Sequence, residues 1–216
     1  MEIIRYAELK AQPWRNGGGV TREVASHSAS TSSPESPGPD GGWDWRVSIA
    51  DVSKAGDFSA FPGMERVLTV VEGELLLLSV DGAEHPLEKY RPYRFSGDAA
   101  AAGALPTGDI RDLNVITRTG VFKGYTSIIE LSKKRAHPVF EGQLGILLQG
   151  QAAVAPGPAD VEPAGSAAAA EATAGATATE PTTLARYDAV VGSDTDTPEI
   201  LGRGFLAVVS IDPVGD

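Results

Sequence analysis

The polar residues with the most regular spacing fall in three short runs. In VTREVA, Thr21 and Glu23 alternate with Val20, Arg22 and Val24. In WDWRVSIA, Asp44, Arg46, Ser48 and Ala50 alternate with Trp43, Trp45, Val47 and Ile49. In RDLNVIT, Asp112 and Asn114 alternate with Leu113 and Val115. Successive side chains on a β-strand point to opposite faces, so each run presents one polar and one apolar face. A single stripe of this kind ordinarily faces solvent. Three of them meeting inside one barrel would surround a small polar ligand with hydroxyl, amide and guanidinium groups. A fourth segment, FSAFPGMER, adds a cation: the rigid Phe61-Pro62-Gly63 turn delivers Arg66 to the start of an apolar strand. A buried guanidinium requires an anionic partner, either an internal carboxylate such as Asp112 or the carboxylate of a ligand. A charge-assisted hydrogen bond contributes about 1.5 to 3 kcal/mol. One Arg with two or three neutral donors is therefore enough for a micromolar metabolite.

Other chemistries are poorly supplied. The three histidines, His27, His85 and His137, are scattered and form no His-x-His pair. A catalytic metal needs about three clustered protein ligands, so no metal and no metal cofactor is expected. The chain has no cysteine, which removes disulfides, thiolate ligands and a Cys nucleophile together. Glu23, Glu65, Asp112 and Tyr90 are left as conceivable bases. The stretch PWRNGGGVTREVA, residues 13–25, invites comparison with a phosphate-binding loop. It lacks the Gly-Lys-Ser/Thr ending, and Gly19 leads into β-branched alternation rather than a helix. The glycines fit a turn with positive φ. A net charge of −11 and a pI near 4.7 argue against a nucleic-acid partner, whose phosphates need a basic patch. The N-terminus has no basic segment leading into an apolar core, and no apolar run nears the roughly 20 residues that span a bilayer. A soluble cytoplasmic protein without a membrane partner is the expectation.

The elements that would position these residues are strands. WDWRVSIADV, ERVLTVVEGELLLLSV, DLNVIT, YTSIIELS, QLGILLQGQAAV, ARYDAVVG and GFLAVVSI have strand length and strand composition. Two segments, 26–42 and 155–181, are too rich in Ser, Pro, Gly, Ala and Thr to build a core and read as surface insertions. The strand pattern also repeats. Ser127 follows Ser48 by 79 residues, Gly150 follows Gly73 by 77, and Tyr187 follows Tyr90 by 97, the excess matching the second insertion. Self-similarity at this period marks two copies of one unit. A unit of short strands joined by Gly and Asp turns reads as a barrel or jelly roll. The expected fold is all-β, with two tandem cupin-like jelly-roll barrels at 1–120 and 121–216.

PWRNGGGVTREVA, WDWRVSIADV, GDFSAFPGMERVLTVVEGELLLL and DIRDLNVITR, in this order and spacing, resemble the HutD/Ves family. The resemblance covers residues 1–150 with specific motifs and continues loosely through the second repeat. It implies a bicupin associated with bacterial histidine utilisation, in which the protein moderates the pathway by binding an intermediate such as formylglutamate or urocanate. It also implies that Asn16, Gly17, Gly18, Thr21, Glu23, Arg46, Ser48, Arg66 and Asn114 line the pocket. No catalytic residue and no cofactor is implied.

Three functions follow as expectations. The first is a non-enzymatic sensor that holds a small carboxylic acid in the first barrel through Arg46 or Arg66 with Ser48, Thr21 and Asn114. The second is a metal-independent isomerase or hydrolase with Glu23 or Asp112 as base. The third is a scaffold with a vestigial pocket, expected if Arg46 and Arg66 are consumed by internal carboxylates. Exposed barrel edges make a homodimer plausible.

Overall fold

The structure, a computed structural model, describes residues 1–28, 42–156 and 180–215. Most of both low-complexity segments lies outside these residues. Among the described residues the chain forms three antiparallel sheets. A six-stranded sheet runs in the order Ala11–Pro13, Gly19–His27, Trp45–Val52, Ile110–Arg118, Met64–Glu72 and Tyr93–Ser96. A four-stranded sheet of Gly56–Asp57, Ala101–Ala104, Leu75–Val80 and Ala83–Glu88 packs over one of its faces. A seven-stranded sheet in the second half is built around two long strands, Gln143–Pro156 and Pro198–Pro213. The fold is the all-β double jelly roll expected from the strand pattern.

The strand residues dictate this layering. The run MERVLTVVE is β-branched and apolar enough to be covered on both sides, and it lies between the four-stranded sheet and the second half of the chain. Val47, Ile49, Val67, Val71, Leu113 and Val115 turn one face of the six-stranded sheet toward Leu144, Ile146, Leu148, Ala207 and Val209 of the second half. Ala50, Val52, Leu68, Val70 and Ile110 turn the other face toward Leu76, Leu78, Leu87 and Ala101 of the four-stranded sheet. Each fully buried Leu, Ile or Val stabilises the fold by roughly 1.5 to 3 kcal/mol relative to exposure. The two clusters thus fix the register of the central sheet, because a one-residue slip would exchange its faces.

The internal repeat is present in the backbone. Tyr90 and Tyr187 both adopt left-handed conformations, with φ of 67° and 69°. Their amides donate to equivalent carbonyls, Tyr90 to Val70 O at 2.8 Å and Tyr187 to Leu147 O at 2.6 Å. Gly73 and Gly150, φ 85° and 103°, mark the same point of the two copies. At Gly73 the chain breaks into two strands of different sheets, Met64–Glu72 and Leu75–Val80, whereas at Gly150 one strand bends and continues.

Two details differ from the sequence reading. Trp43 was expected on the Val47 and Ile49 face, but the strand begins at Trp45, and Trp43 packs with Phe61, Met64 and Ile116. The N-terminal strand Glu2–Ile4 pairs with Ala189–Val191 of the second half, so the chain's start is woven into the far sheet. No helix among the described residues is long and apolar enough to cross a membrane.

Candidate functional site

Strand register brings the polar stripes together. Asn114 lies opposite Ser48 on one neighbouring strand and Leu68 on the other, and Glu23 lies opposite Ser48 one strand further out. Ile116 is flanked by Arg46 and Arg66, while Asp112 is flanked by Ala50 and Val70, with Thr21 beyond Ala50. Directly paired residues share a face. Thr21, Glu23, Arg46, Ser48, Arg66, Asp112 and Asn114 therefore all point from the six-stranded sheet toward the four-stranded sheet, into the first jelly roll.

Burial separates them. Ser48, Arg66, Asp112 and Asn114 are 2%, 2%, 1% and 9% exposed. The Arg66 guanidinium is enclosed by three rings, with centroids 5.7 Å away for Phe58, 5.2 Å for Phe61 and 4.9 Å for Phe95. Arg46 lies 4.9 Å from the Trp43 ring and 5.5 Å from Phe61, so Phe61 is shared by both cations. Arg66 Nη1 donates to Ser59 O at 3.2 Å, but its Nε has no acceptor. Both Asp112 carboxylate oxygens and Asn114 Oδ1 are buried without a donor. No ion pair joins Arg66 to Asp112 among the described residues, although each feels the other's charge. Burial pulls the Arg66 pKa down to about 10, with Asp112 opposing and Arg46 reinforcing the shift. Burial likewise pushes the Asp112 carboxyl up to about 7, partly offset by Arg66 and raised further by Asp51. An unsatisfied buried polar atom costs about 1 to 3 kcal/mol, more when charged. Four such atoms on one interior face without a protein partner are a substantial cost.

The second jelly roll shows that the fold itself does not require this polarity. Arg111 pairs with Glu72 as Phe205 pairs with Gln149, and in both halves a β-bulge follows. Asp112 then corresponds to Leu206, Asn114 to Val208, Arg66 to Gln143 and Arg46 to Tyr125, with only Ser48 retained as Ser127. Leu206 and Val208 pack with Leu131, Leu147, Val190 and Ile200 in an apolar core. One scaffold is thus filled with hydrocarbon in one copy and with two guanidiniums, a carboxyl and an amide in the other.

The glycine segment sits at the hairpin joining Ala11–Pro13 to Gly19–His27. Asn16 Oδ1 accepts from the Gly18 amide at 3.0 Å, closing a side-chain-to-backbone turn around Gly17, φ 65°. Gly18 O accepts from Ser53 N at 3.0 Å. A Cβ on Gly19 would lie 2.5 Å from Asp51 O and 3.1 Å from the Trp14 indole. Asn16 and Gly17 thus bond within their own turn, Gly17 N donating to Trp14 O at 3.0 Å, while Gly18 O reaches the chain just past the neighbouring strand. Thr21 Oγ1 accepts from Trp14 Nε1 at 2.7 Å, and Glu23 accepts from Ser26 Oγ at 2.7 Å. Thr21 and Glu23 face the interior, yet both already have protein partners.

Sequence reasoning missed a second polar cluster, which joins the two halves. Tyr187 Oη donates to Glu72 Oε2 at 2.7 Å, and Tyr90 Oη donates to Gln149 Oε1 at 3.3 Å. Gln149 follows Glu72 by the same 77 residues as Gly150 follows Gly73, so the two bonds are related by the repeat. Arg111 stacks on the Tyr187 ring at 4.7 Å and pairs with both Asp51 and Glu72, while Arg186 reaches Glu72 at 3.3 Å. The hydrogen bond from Tyr187 leads the causes that hold the Glu72 carboxyl below its usual range. These pairs close on themselves and serve the joint.

The comparisons with known proteins agree with this architecture. The fold and site define a bicupin with one polar interior. The HutD family model matches residues 6–208, and the chain belongs to the HutD family. It is 37% identical over 120 residues to Protein Ves of Citrobacter koseri, a match covering 55% of this chain and 58% of that protein. It is 38% identical over 117 residues to an uncharacterized 21.2 kDa protein in the hutC 3′ region of Pseudomonas putida, covering 54% and 57%. The match thus spans little more than half the length of these relatives. Among solved structures, a conserved protein of unknown function from Pseudomonas aeruginosa PAO1 superposes with a TM-score of 0.72 at 27% identity, covering 99% of both chains. HutD from Pseudomonas fluorescens SBW25 gives 0.69 at 24%, again over 99% of both. A cupin 2 barrel protein from Leptotrichia buccalis, at 0.53 and 8% identity over 99% of this chain and 96% of its own, shares the fold alone.

Proposed function

We propose that this protein binds a small carboxylic acid inside its first jelly roll and thereby moderates histidine utilisation. The carrying observation is the pair of opposite deficits on one buried face. Arg66 Nε lacks an acceptor, and Asp112 and Asn114 lack donors. An acid such as formylglutamate answers both, its carboxylate accepting from Arg66 and Arg46 and its amide N–H donating toward Asn114 or Asp112. Urocanate offers a carboxylate and an imidazole N–H in the same way. Membership of the HutD family and the hutC-region relative support the link to histidine metabolism. The scaffold reading, which needs Arg66 to be spent on an internal carboxylate, loses support because Arg66 forms no ion pair among the described residues.

One observation favours a second reading: Asp112 faces the same interior with a carboxyl that titrates near 7, where a general base works best. A metal-independent isomerase or hydrolase would use it. Thermal-shift titration with N-formylglutamate and urocanate tests the first reading. Wild type should be stabilised and Arg66→Ala should not, with its far-ultraviolet circular dichroism unchanged. Equal shifts in both proteins would remove Arg66 from the site. Proton NMR of the same mixtures over hours tests the second, since new product resonances would establish turnover.

A further inference from the structure

We infer that ligand capture in the first jelly roll is coupled to the uptake of one proton by Asp112, so that the site binds its acid tightly only while Asp112 is neutral. This rests on the carboxylate-binding reading above. The geometry leads to it directly. Asp112 projects from the Ile110–Arg118 strand into the interior, is 1% exposed, and has no hydrogen-bond partner on either oxygen.

The groups that face Asp112 are few. From the Met64–Glu72 strand comes Arg66, from Trp45–Val52 comes Arg46, and from Gly19–His27 comes Glu23, already bonded to Ser26. Tyr93, with His85 packed against its ring at 4.6 Å, closes the far side of the sheet. The four-stranded sheet opposite contributes the uncharged Leu76, Leu78 and Ala101, and its titratable group on that face is His85, paired with Leu78. Asp51 acts from the other face of its strand, where Arg22 and Arg111 hold it.

The incoming anion changes this balance. Without that anion, the Arg66 guanidinium partly offsets Asp112 and keeps its proton loosely held. A ligand carboxylate that takes the unpaired donor of Arg66 removes that offset and sets a second anion on the same buried face. Two carboxylates in such a site cannot both ionise, and one must hold a proton. The ligand carboxylate, facing the guanidiniums, stays ionised. Asp112 takes the proton from solvent and donates its O–H to the ligand oxygen or to a neighbouring acceptor. No bond other than the O–H forms or breaks. Leu206 at the equivalent position of the second jelly roll cannot do this, so the property belongs to one half of the molecule.

Calorimetric titration with N-formylglutamate in phosphate and in Tris at pH 8 counts the protons, because the two buffers release them with different heats. Wild type should take up close to one proton per ligand. With Asp112 neutral half the time at pH 7 and about 3% of the time at pH 8.5, the dissociation constant should rise about 15-fold between them. Asp112→Asn should show neither the uptake nor the pH dependence. Wild-type binding with buffer-independent heat overturns the coupling and leaves the carboxylate site standing, and it does so even if the variant fails to fold. No binding of this acid or of urocanate at either pH removes the site and the coupling together.

Discussion

The buried Asp112 carboxyl makes a quantitative prediction about the empty protein. Its pKa is raised from 3.8 to about 7. Between those values the folded chain keeps a proton on Asp112 that the unfolded chain has released. Stability contributed by this group is thus complete below about pH 4, is lost as pH rises toward 7, and changes no further above that. One proton of difference corresponds to about 1.4 kcal/mol per pH unit, so the loss accumulates to about 4 kcal/mol over three units. The attraction of Arg66 is already included, since it is one of the influences that set the value. Asp112→Asn keeps the shape and removes the titration. Relative to wild type, the variant should therefore gain about 1.4 kcal/mol of stability per pH unit from pH 4 to 7, whatever its offset at pH 4. Urea unfolding at half-unit intervals, with the slope m held common, measures this directly. Parallel stability curves for the two proteins would refute the claim that Asp112 is buried without a compensating partner.

Other predictions follow from the repeat and the turns. Leu206→Asp, which places the first half's carboxylate in the apolar core of the second, should cost more than about 4 kcal/mol or prevent folding, as read by urea denaturation. Tyr187→Phe should lower stability by about 1 to 2 kcal/mol through the lost bond to Glu72, and Tyr90→Phe by less, because its bond to Gln149 is longer and exposed; equal effects would contradict the geometry. Gly19→Ala should destabilise by about 1 to 3 kcal/mol, because the new Cβ would press on Asp51 O and the Trp14 ring, and Gly17→Ala should cost less, as its φ of 65° is strained but nothing lies within 4 Å.

Much of this arrangement was legible in the residues. Alternation in VTREVA, WDWRVSIA and RDLNVIT set Thr21 with Glu23, Arg46 with Ser48, and Asp112 with Asn114 on the polar side of each strand, but that the three sides coincide is visible only in the strand register. The repeat was legible through Gly73 and Gly150 and through Tyr90 and Tyr187, whose shared left-handed backbone explains why those positions match. What could not be read was how each polar residue spends its hydrogen bonds. Thr21 and Glu23 look as available as Asn114 in the sequence, yet Trp14 and Ser26 occupy them. Asp112 looked like one carboxylate among several, and only the folded sheet shows it buried without a partner on the face it shares with Arg66. Trp43 went to the other side because the strand starts two residues later, a boundary that alternation does not mark. The Tyr187, Glu72 and Arg111 joint is long-range, and only the equal spacing of Glu72 to Gln149 and Gly73 to Gly150 pointed toward it.

The central claim is that a ligand carboxylate meets Arg66 inside the first jelly roll. The most direct measurement is the proton–nitrogen NMR spectrum of the arginine side chains, with the Arg66 Nε–H signal assigned by its loss in Arg66→Lys. On addition of N-formylglutamate or urocanate at pH 6.5, that signal should move strongly downfield as its vacant donor acquires an anionic acceptor. An Arg66 signal that stays in place while a bound ligand shifts other arginines would contradict the account.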